Sequence, residues 1–334
     1  MQIDWRINSS DIPQSMINEF LSTQPDLTFF QSPSLIEFYH KNNFKTLSLV
    51  GIINNKIVAS CNVLLLKEKY GILSKLTSRA IIWGGPLALN DSYFEKTLIQ
   101  VKNILKNEVI YLQIRNIYQL NEVRKVLLNR QGINYHEHFT VINQLSPNLL
   151  ETYHSGRRKN IRRAMKNDLI FKCLTEENEI ELAGKIVIQT YKEIKLPCPD
   201  LFFFRNTSQL SKKGELKVFG VFHNSKMISS RFCFTYKDYI YDWYAGSEKT
   251  SNHLYPNDFI VHNILEWGFQ NGFNTFDFGG AGNSNSEYGV RDFKLKFGGQ
   301  LTEYGRNEII FQPFKFKLGK LGFQILKKIR NEKK

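Results

Sequence analysis

Apolar residues form two kinds of pattern along this chain. Lys45–Ile53 and Lys56–Lys67 are runs rich in β-forming residues, and the Asn54-Asn55 pair between them suits a two-residue hairpin turn. Helical spacing appears in Phe94–Lys106, and a short apolar run follows at Val109–Ile114. The first part of the chain is therefore predicted to form an α+β domain around a mixed sheet.

The second part of the chain has the same order of elements. The apolar runs Leu216–His223, Met227–Tyr236 and Tyr239–Ala245 are linked by short polar turns and predict a three-stranded meander. A predicted helix with apolar residues from Phe259 to Trp267 follows, and it leads to the strand-like run Thr275–Phe278. Both parts read as β-β-α-β, although their residues show no direct repeat.

The length of the chain, 334 residues, is typical of two domains. The strand predicted at Phe139–Leu145 ends in Ser146-Pro147, and we place the boundary there, which gives domains of residues 1–147 and 148–304. Hydrophobic residues make up 42% of the chain and aromatic residues 13%. This composition is sufficient for two packed cores and argues against long disordered segments.

The stretch Phe276–Gly299 combines glycine clustering with two lysines. A strand-like run ends in Gly279-Gly280-Ala281-Gly282, which indicates a turn with positive φ or a close approach of the backbone to another group. A polar loop then leads to Phe293–Gly299, in which Lys294 and Lys296 alternate with apolar residues. As a strand, this segment would carry both ammonium groups on one face. They would serve either a functional site or a solvated strand edge.

The densest charge lies in a predicted helix at the start of the second domain, where six of the ten residues from Arg157 to Lys166 are basic. Arg158, Arg162 and Lys166 share one face, and like charges at this spacing repel by about 0.2–0.5 kcal/mol per pair. The face is either simply solvated or in contact with an anion, and arginine would suit an anion because its planar guanidinium binds phosphate and carboxylate bidentately. An apolar stripe on another face consists of Ile161, Ala164 and Met165.

The overall charge also indicates an anionic partner. Lys and Arg number 45 against 31 Asp and Glu, a formal net charge of +14, and this positive field favours tRNA, nucleotide-linked precursors or anionic lipid. No apolar run has the length of a membrane span, and the first residues lack the pattern of a secretory signal, so we expect a cytoplasmic protein. The four widely spaced cysteines suggest neither a metal site nor a disulfide framework.

The C-terminal segment is strongly basic, since residues 315–334 hold eight Lys or Arg and one Glu. Leu318, Leu321, Ile325 and Ile329 recur there at helical spacing. This pattern predicts an amphipathic helix that makes peripheral contact with an anionic membrane surface, at the inner face of the membrane.

Several of these segments resemble the FemABX aminoacyltransferases, which build the interpeptide bridges of bacterial peptidoglycan and belong to the GNAT acyltransferase superfamily. The segment Gly289–Gly298 is similar to the family pattern G-x-x-x-F-K-x-x-F-G, and Phe276–Gly280 resembles the strand end before it. The basic run Arg157–Lys166, the helix entry FFQSP at Phe29–Pro33 and the WGGP segment at Trp83–Pro86 are also similar to family segments.

The resemblance implies an α+β fold with mixed sheets, formed by two tandem GNAT-like domains, of which the segment at about 305–334 completes the first. That segment would then fold back on the first domain, and a free end could still reach a membrane. The implied reaction transfers an aminoacyl group from tRNA onto an amine of a cell-wall precursor. No permanently bound cofactor is expected, and aminoacyl-tRNA, or else acyl-CoA, is the co-substrate. The acetyl-CoA signature Q/R-x-x-G-x-G/A is not matched by Asp277–Gly282, which favours the tRNA donor.

Such a reaction needs a cation or N–H donors where negative charge develops on the carbonyl oxygen. Lys294 is the predicted catalytic residue that supplies this charge, and Phe293 is predicted to position it. The seven His residues are scattered, and no Ser-His-Asp arrangement indicates covalent catalysis. The predicted substrate-binding residues are Arg157, Arg158, Arg162, Trp83, Tyr244, Asp277 and Arg291.

Two other functions stay open. One is an N-acyltransferase that uses acyl-CoA on an amino sugar or lipid precursor of envelope polysaccharide. The other is a non-catalytic basic protein that binds nucleic acid or membrane, in which Lys294 has no catalytic role and binding follows salt concentration alone.

Overall fold

The computed structural model describes residues 2–67, 76–284 and 289–332, and for residues 323–332 only the backbone. The chain divides into two compact units. Unit 1 contains residues 1–137 and 304–334, and unit 2 contains residues 138–303. Within the described residues, no helix combines the length and the apolar composition needed to cross a membrane.

Unit 1 is a mixed sheet with helices. Its strands are β1 (Asp4–Ile7), β2 (Lys45–Ile53), β3 (Lys56–Leu66), β4 (Arg79–Trp83), β5 (Leu87–Ala88), β6 (Tyr111–Arg115), β7 (Asn134–His136) and β15 (Arg306–Ile310). Its helices are α1 (Gln14–Ser22), α2 (Pro33–Lys41), α3 (Asp91–Leu105), α4 (Glu122–Arg130) and α11 (Pro313–Glu332). The predicted hairpin is confirmed: β2 and β3 are antiparallel, and both turn residues, Asn54 and Asn55, have positive φ.

Unit 2 contains the predicted meander and helix. Its strands are β8 (Phe139–Gln144), β9 (Ile170–Leu174), β10 (Leu216–His223), β11 (Lys226–Tyr236), β12 (Tyr239–Ser247), β13 (Thr275–Gly280) and β14 (Gln300–Glu303). Its helices are α5 (Leu149–Thr152), α6 (Ser155–Ala164), α7 (Glu177–Glu193), α8 (Leu201–Lys212), α9 (Pro256–Gln270) and α10 (Gly289–Leu295). The expected α+β class with mixed sheets is confirmed, because both sheets contain parallel and antiparallel pairs.

The two sheets have the same strand order, and the sheet of unit 1 contains one strand from beyond its first segment, residues 1–137. The orders are β1-β2-β3-β4-β6-β15-β7 in unit 1 and, read in the matching direction, β9-β10-β11-β12-β13-β8-β14 in unit 2. The sixth place is taken in unit 1 by β15, from the end of the chain, and in unit 2 by β8, which precedes the other strands of that sheet. β8 follows the edge strand β7 in sequence but joins the sheet of unit 2. β15 follows the edge strand β14 but joins the sheet of unit 1.

This exchange explains where the units separate. Our boundary at Pro147 assigned the strand at Phe139–Leu145 to the first domain. In the structure this strand is β8, which pairs with β13 and β14 of unit 2, and the units separate between Glu137 and His138. Apolar alternation predicts a strand but does not say which sheet it joins, because either sheet would bury its apolar face.

The prediction of a strand at Phe293–Gly299 is wrong. Residues Gly289–Leu295 form α10, Lys294 is buried, and Lys296 is exposed. In helical geometry, the side chains of two residues that are two positions apart point about 200° apart around the axis. The two lysines therefore cannot share a face. Most of the polar loop predicted before this segment, residues 285–288, lies outside the described residues.

We predict that unit 1 cannot fold without the exchanged strand. β15 is hydrogen-bonded to β6 on one side and β7 on the other, so a chain ending at Glu303 leaves the edge of β6 unpaired. We expect this truncation to lose soluble yield and cooperative thermal unfolding in circular dichroism. A chain ending at Gly322 keeps β15 and serves as the control, and equal melting temperatures for the two chains would contradict the prediction.

Candidate active site

The central parallel strands of unit 2 separate partway along their length. β12 and β13 are paired only at Tyr239–Tyr241 and Thr275–Asp277, although β12 continues to Ser247 and β13 to Gly280. A gap thus opens between their carboxyl ends, the place where α/β proteins commonly bind ligands. In unit 1 the corresponding strands β4 and β6 stay paired from Arg79 to Trp83.

A bulge in β12 helps this strand to turn away from β13. Phe232 of β11 lies opposite Tyr244, and Cys233 lies opposite Asp242, so Trp243 is the extra residue. In a regular strand, Trp243 and Tyr244 would point to opposite sides of the sheet. The rings of Trp243 and Tyr244 both contact Phe203, at 5.3 and 6.1 Å between centroids, because a bulge interrupts the alternation of sides.

The Lys294 side chain reaches the end of β13. Its Nζ donates hydrogen bonds to the carbonyl oxygens of Phe278 at 2.7 Å, Gly280 at 2.9 Å and Gly279 at 3.2 Å. An ammonium group has three N–H donors, so all of them are used. These contacts replace part of the backbone pairing that β13 loses where β12 departs.

Asp277 fixes the backbone of the same strand end. Its buried carboxylate accepts hydrogen bonds from the Tyr239 hydroxyl at 2.6 Å, from the Gly279 N–H at 2.7 Å and from the Thr140 hydroxyl. Burial raises the pKa of Asp277, and these three hydrogen bonds act in the opposite direction. Gly279 has φ +67°, a conformation that costs an L residue about 1–2 kcal/mol, so glycine is favoured at this position.

Burial lowers the pKa of Lys294 to about 8, while the carboxylates of Asp242 and Asp277 act against this shift. Asp242 is itself paired with Arg231, and both side chains are only 6% exposed. The strand ends thus hold two cations and two carboxylates away from solvent. Such a cluster is typical of functional sites, because low local dielectric strengthens each charge interaction.

Arg157 is buried and holds α10 in place. It is ion-paired with Asp258 at the start of α9. Its guanidinium lies 4.3 Å from the Phe293 ring and 4.5 Å from the Phe297 ring, and it donates to the Phe293 carbonyl at 3.2 Å. Arg157, not Met165, continues the buried face of α6 with Ile161 and Ala164, and Met165 is 52% exposed.

The other side of α6 is an exposed basic surface. Arg158 donates to the Tyr153 carbonyl at 2.6 Å. Among the described residues, no acidic side chain pairs with the exposed Lys159, Arg162 or Lys166. A shallow depression of about 360 Å³ is lined by Ser155, Arg158, Lys159, Arg162, Arg163 and Lys166. We call the three unpaired residues Lys159, Arg162 and Lys166 the basic row.

The remaining predicted residues lie in three places. Arg291 of α10 donates to the Ala281 carbonyl at 2.8 Å and to the Asn283 carbonyl, and so ties α10 to the segment after β13. Tyr244 packs among aromatic rings of α7 and α8. Trp83 belongs to unit 1, where its ring stacks on the Phe30 ring at 4.6 Å between centroids. The Arg115 guanidinium lies over the Trp83 ring, 4.8 Å from its centroid.

The prediction omitted Thr140, Tyr239, Arg231 and Asp258. Only Arg231 gave a sequence signal, since a lone charge inside the apolar strand β11 indicates a buried partner. The other three become visible only when the strands pair. Within the described part of the chain, no cluster of three or more His, Cys, Asp or Glu side chains could hold a metal ion.

Comparisons with known proteins identify the fold to which this site belongs. The model of the GNAT acetyltransferase domain matches residues 155–294, which spans α6 to α10 and includes the strand gap and Lys294. No curated protein sequence matches the chain at a significant level.

Solved structures match both units together. FemX is 14% identical, with 94% of this chain and 99% of that chain covered and a TM-score of 0.70. A tandem GNAT protein from the clavulanic acid biosynthesis pathway is 8% identical, with coverages of 93% and 99% and a TM-score of 0.62. L-PGS from Bacillus licheniformis is 13% identical, with coverages of 92% and 96% and a TM-score of 0.58.

These likenesses confirm the fold expected from the resemblance. The protein consists of two tandem GNAT-like units, and its fold is similar to that of FemX.

Proposed function

We propose that this protein is a FemAB-like acyltransferase whose reaction takes place at the gap between β12 and β13. The observation that carries the proposal is the Lys294 ammonium, which is buried at the end of β13 and bound to three carbonyl oxygens. Its charge lies where the parallel strands separate. The family model, which covers this region, supports acyl transfer as the class of reaction.

In the proposed reaction, a neutral amine of the acceptor attacks the carbonyl carbon of an aminoacyl ester. A C–N bond forms, the ester C–O bond breaks, and the leaving hydroxyl takes up the proton that the amine loses. Negative charge develops on the carbonyl oxygen during the attack, and a preorganised cation stabilises it. Lys294 would supply this cation by exchanging its longest contact, the 3.2 Å hydrogen bond to Gly279, for the substrate oxygen.

Other residues of the site would position this group. Phe293 packs against the Arg157 guanidinium, and Asp258 of α9 is ion-paired with Arg157. These contacts fix the position of the turn of α10 that contains Lys294. Asp277 and Arg291 fix the backbone on either side of Gly280. We therefore propose a positioning role for Arg157, Asp277 and Arg291, and a catalytic role for Lys294.

The start of α9 favours an aminoacyl ester over acyl-CoA as the donor. This helix connects β12 to β13, so its N-terminus lies at the carboxyl end of the strands, where a pyrophosphate would bind to free N–H groups. Here the first residue is Pro256, which has no N–H, and Tyr255 before it has a left-handed conformation. Asp258 in the first turn is ion-paired with Arg157, so a carboxylate and its cation already lie at this end of the helix. We propose aminoacyl-tRNA as the donor and an amine of a cell-wall precursor as the acceptor.

We propose that the basic row binds phosphate groups of the co-substrate. Arg162 lies in the last turn of α6, and Lys166 follows the end of the helix by two residues. Their charges are not neutralised by acidic neighbours within the described residues. An anionic ligand would relieve the repulsion among them. Arg158 lies at the edge of this surface, although its guanidinium already binds backbone carbonyls.

We predict that Lys294→Ala lowers aminoacyl transfer by about 100-fold or more, the usual effect of removing a group that stabilises an oxyanion. The measurement is transfer of radiolabelled amino acids from charged total tRNA onto lipid-linked or nucleotide-linked muropeptide. Lys296→Ala, which removes an exposed lysine two residues away, is the matched control. Circular dichroism establishes whether each variant folds. If Lys294→Ala does not fold, Lys294→Arg, which keeps the positive charge, is the variant to compare with wild type.

Equal transfer by wild type and Lys294→Ala would exclude the catalytic role. Consumption of acyl-CoA without transfer from tRNA would instead identify the N-acyltransferase that acts on amino sugars or lipid precursors. Binding of nucleic acid or vesicles without any transfer would identify the non-catalytic protein.

The pH dependence provides a second prediction. Because the pKa of Lys294 is about 8, its positive charge is present below that pH and is lost as the pH rises through it. Transfer by wild type should therefore decline above pH 8, while Lys294→Arg, which stays charged, should not show this decline. Both enzymes use the same acceptor, so the titration of its amine cancels in the ratio of the two transfer rates. A ratio that is constant from pH 7 to 9.5 would contradict the assignment.

The basic row can be tested by its salt dependence. We expect the triple variant Lys159→Gln, Arg162→Gln, Lys166→Gln to raise the KM for charged tRNA and to reduce the slope of log affinity against log salt by about 2–3, with kcat unchanged. The control replaces three exposed lysines of unit 1, Lys41, Lys56 and Lys106, by Gln. Equal slopes for both triple variants would show that the basic row does not contact the tRNA backbone.

A further inference from the structure

The C-terminal helix α11 contacts unit 1 through one side. The Phe316 ring packs edge-on against the Tyr111 ring at 5.2 Å between centroids. A Cβ added to Gly319 would lie 2.5 Å from the Leu76 carbonyl oxygen, so the absence of a side chain permits the close approach. Phe316 and Gly319 are three residues apart and therefore lie on the same side of the helix.

A second set of apolar side chains on α11 faces solvent. Phe314 is 75% exposed, Leu318 is 40% exposed and Leu321 is 54% exposed. Their spacing of four and three residues places them within about 60° around the helix axis, opposite the side that contacts unit 1. We call Phe314, Leu318 and Leu321 the apolar stripe.

Basic residues flank the apolar stripe. Lys315, Lys317 and Lys320 are exposed, and no acidic side chain of the described residues pairs with them. The sequence continues the pattern, with Ile325 and Ile329 at the spacing of the stripe and with Lys327, Lys328 and Arg330 between and after them.

We propose that α11 binds the surface of an anionic lipid bilayer through the apolar stripe and its flanking lysines, while its opposite side stays docked on unit 1. A helix with an apolar face between lysines is suited to the boundary between headgroups and acyl chains, where apolar burial and attraction to anionic lipid add together. A second copy of the chain suits this face less well, because a symmetric contact would bring the same lysines together. Sequence analysis gave two interpretations of this segment, contact with a membrane and folding back on the first domain. The proposal assigns one face of α11 to each.

This inference does not depend on the proposed reaction. It adds a place where the protein works, at the bilayer, and a transfer assay with a water-soluble acceptor would be unaffected by its failure.

The test is co-sedimentation of the full chain with vesicles of phosphatidylglycerol and phosphatidylcholine, compared with vesicles of phosphatidylcholine alone. We expect binding to the anionic vesicles only, and a decrease in partitioning of about tenfold or more for the triple variant Phe314→Ser, Leu318→Ser, Leu321→Ser. The matched control replaces three exposed apolar residues elsewhere, Val126, Ile170 and Phe202, by Ser. All six positions are exposed, so folding is expected to survive, and circular dichroism checks it.

Three results would overturn the proposal. Wild type that stays in solution with anionic vesicles would exclude a bilayer surface. Equal sedimentation of the triple variant and wild type would show that only charge acts and that the stripe does not enter the lipid. Vesicle-independent dimerisation that the triple variant abolishes would identify a second copy of the chain as the occupant.

Discussion

The binding of the Lys294 ammonium to three carbonyl oxygens at the end of β13 is the interaction on which the site depends. Where β12 departs, the backbone of β13 loses its partner, and an unpaired buried carbonyl costs about 1–3 kcal/mol. A lysine can satisfy several carbonyls at once, because its three donors radiate from a single atom. The buried positive charge therefore lies where the strands separate and satisfies backbone carbonyls there.

The charges around this interaction are balanced in pairs. Arg231 is paired with Asp242 on adjacent strands, and Arg157 with Asp258 across two helices. Removing one partner of such a pair leaves an uncompensated buried charge, so each pair holds its elements in one arrangement. β15 adds a constraint of another kind, since the sheet of unit 1 is completed only by a strand that follows the whole of unit 2 in sequence.

Sequence patterns predicted those features that are set within a few residues. The Asn54-Asn55 hairpin, the meander of β10 to β12 and the helix α9 follow from local period and turn chemistry, and the FemABX-like motifs led to the two GNAT-like units. The errors occurred where local rules are ambiguous. Alternating Phe and Lys fits a strand, but the same residues also fit a single helical turn with Lys294 inside and Lys296 outside. A bulge at Trp243 reverses the alternation of sides without any local signal.

By itself, the sequence determined the number of units, most of their strands and helices, the basic helix, and Lys294 as the lysine of interest. The tertiary structure decided what each charge does. It buried Arg157 against Asp258 and left Lys159, Arg162 and Lys166 exposed, although all four belong to one run of basic residues. It also directed Lys294 to the backbone of β13. The reason is physical: periodicity is fixed by neighbouring residues, whereas the partner of a buried charge comes from a distant part of the chain, and burial makes that partner necessary.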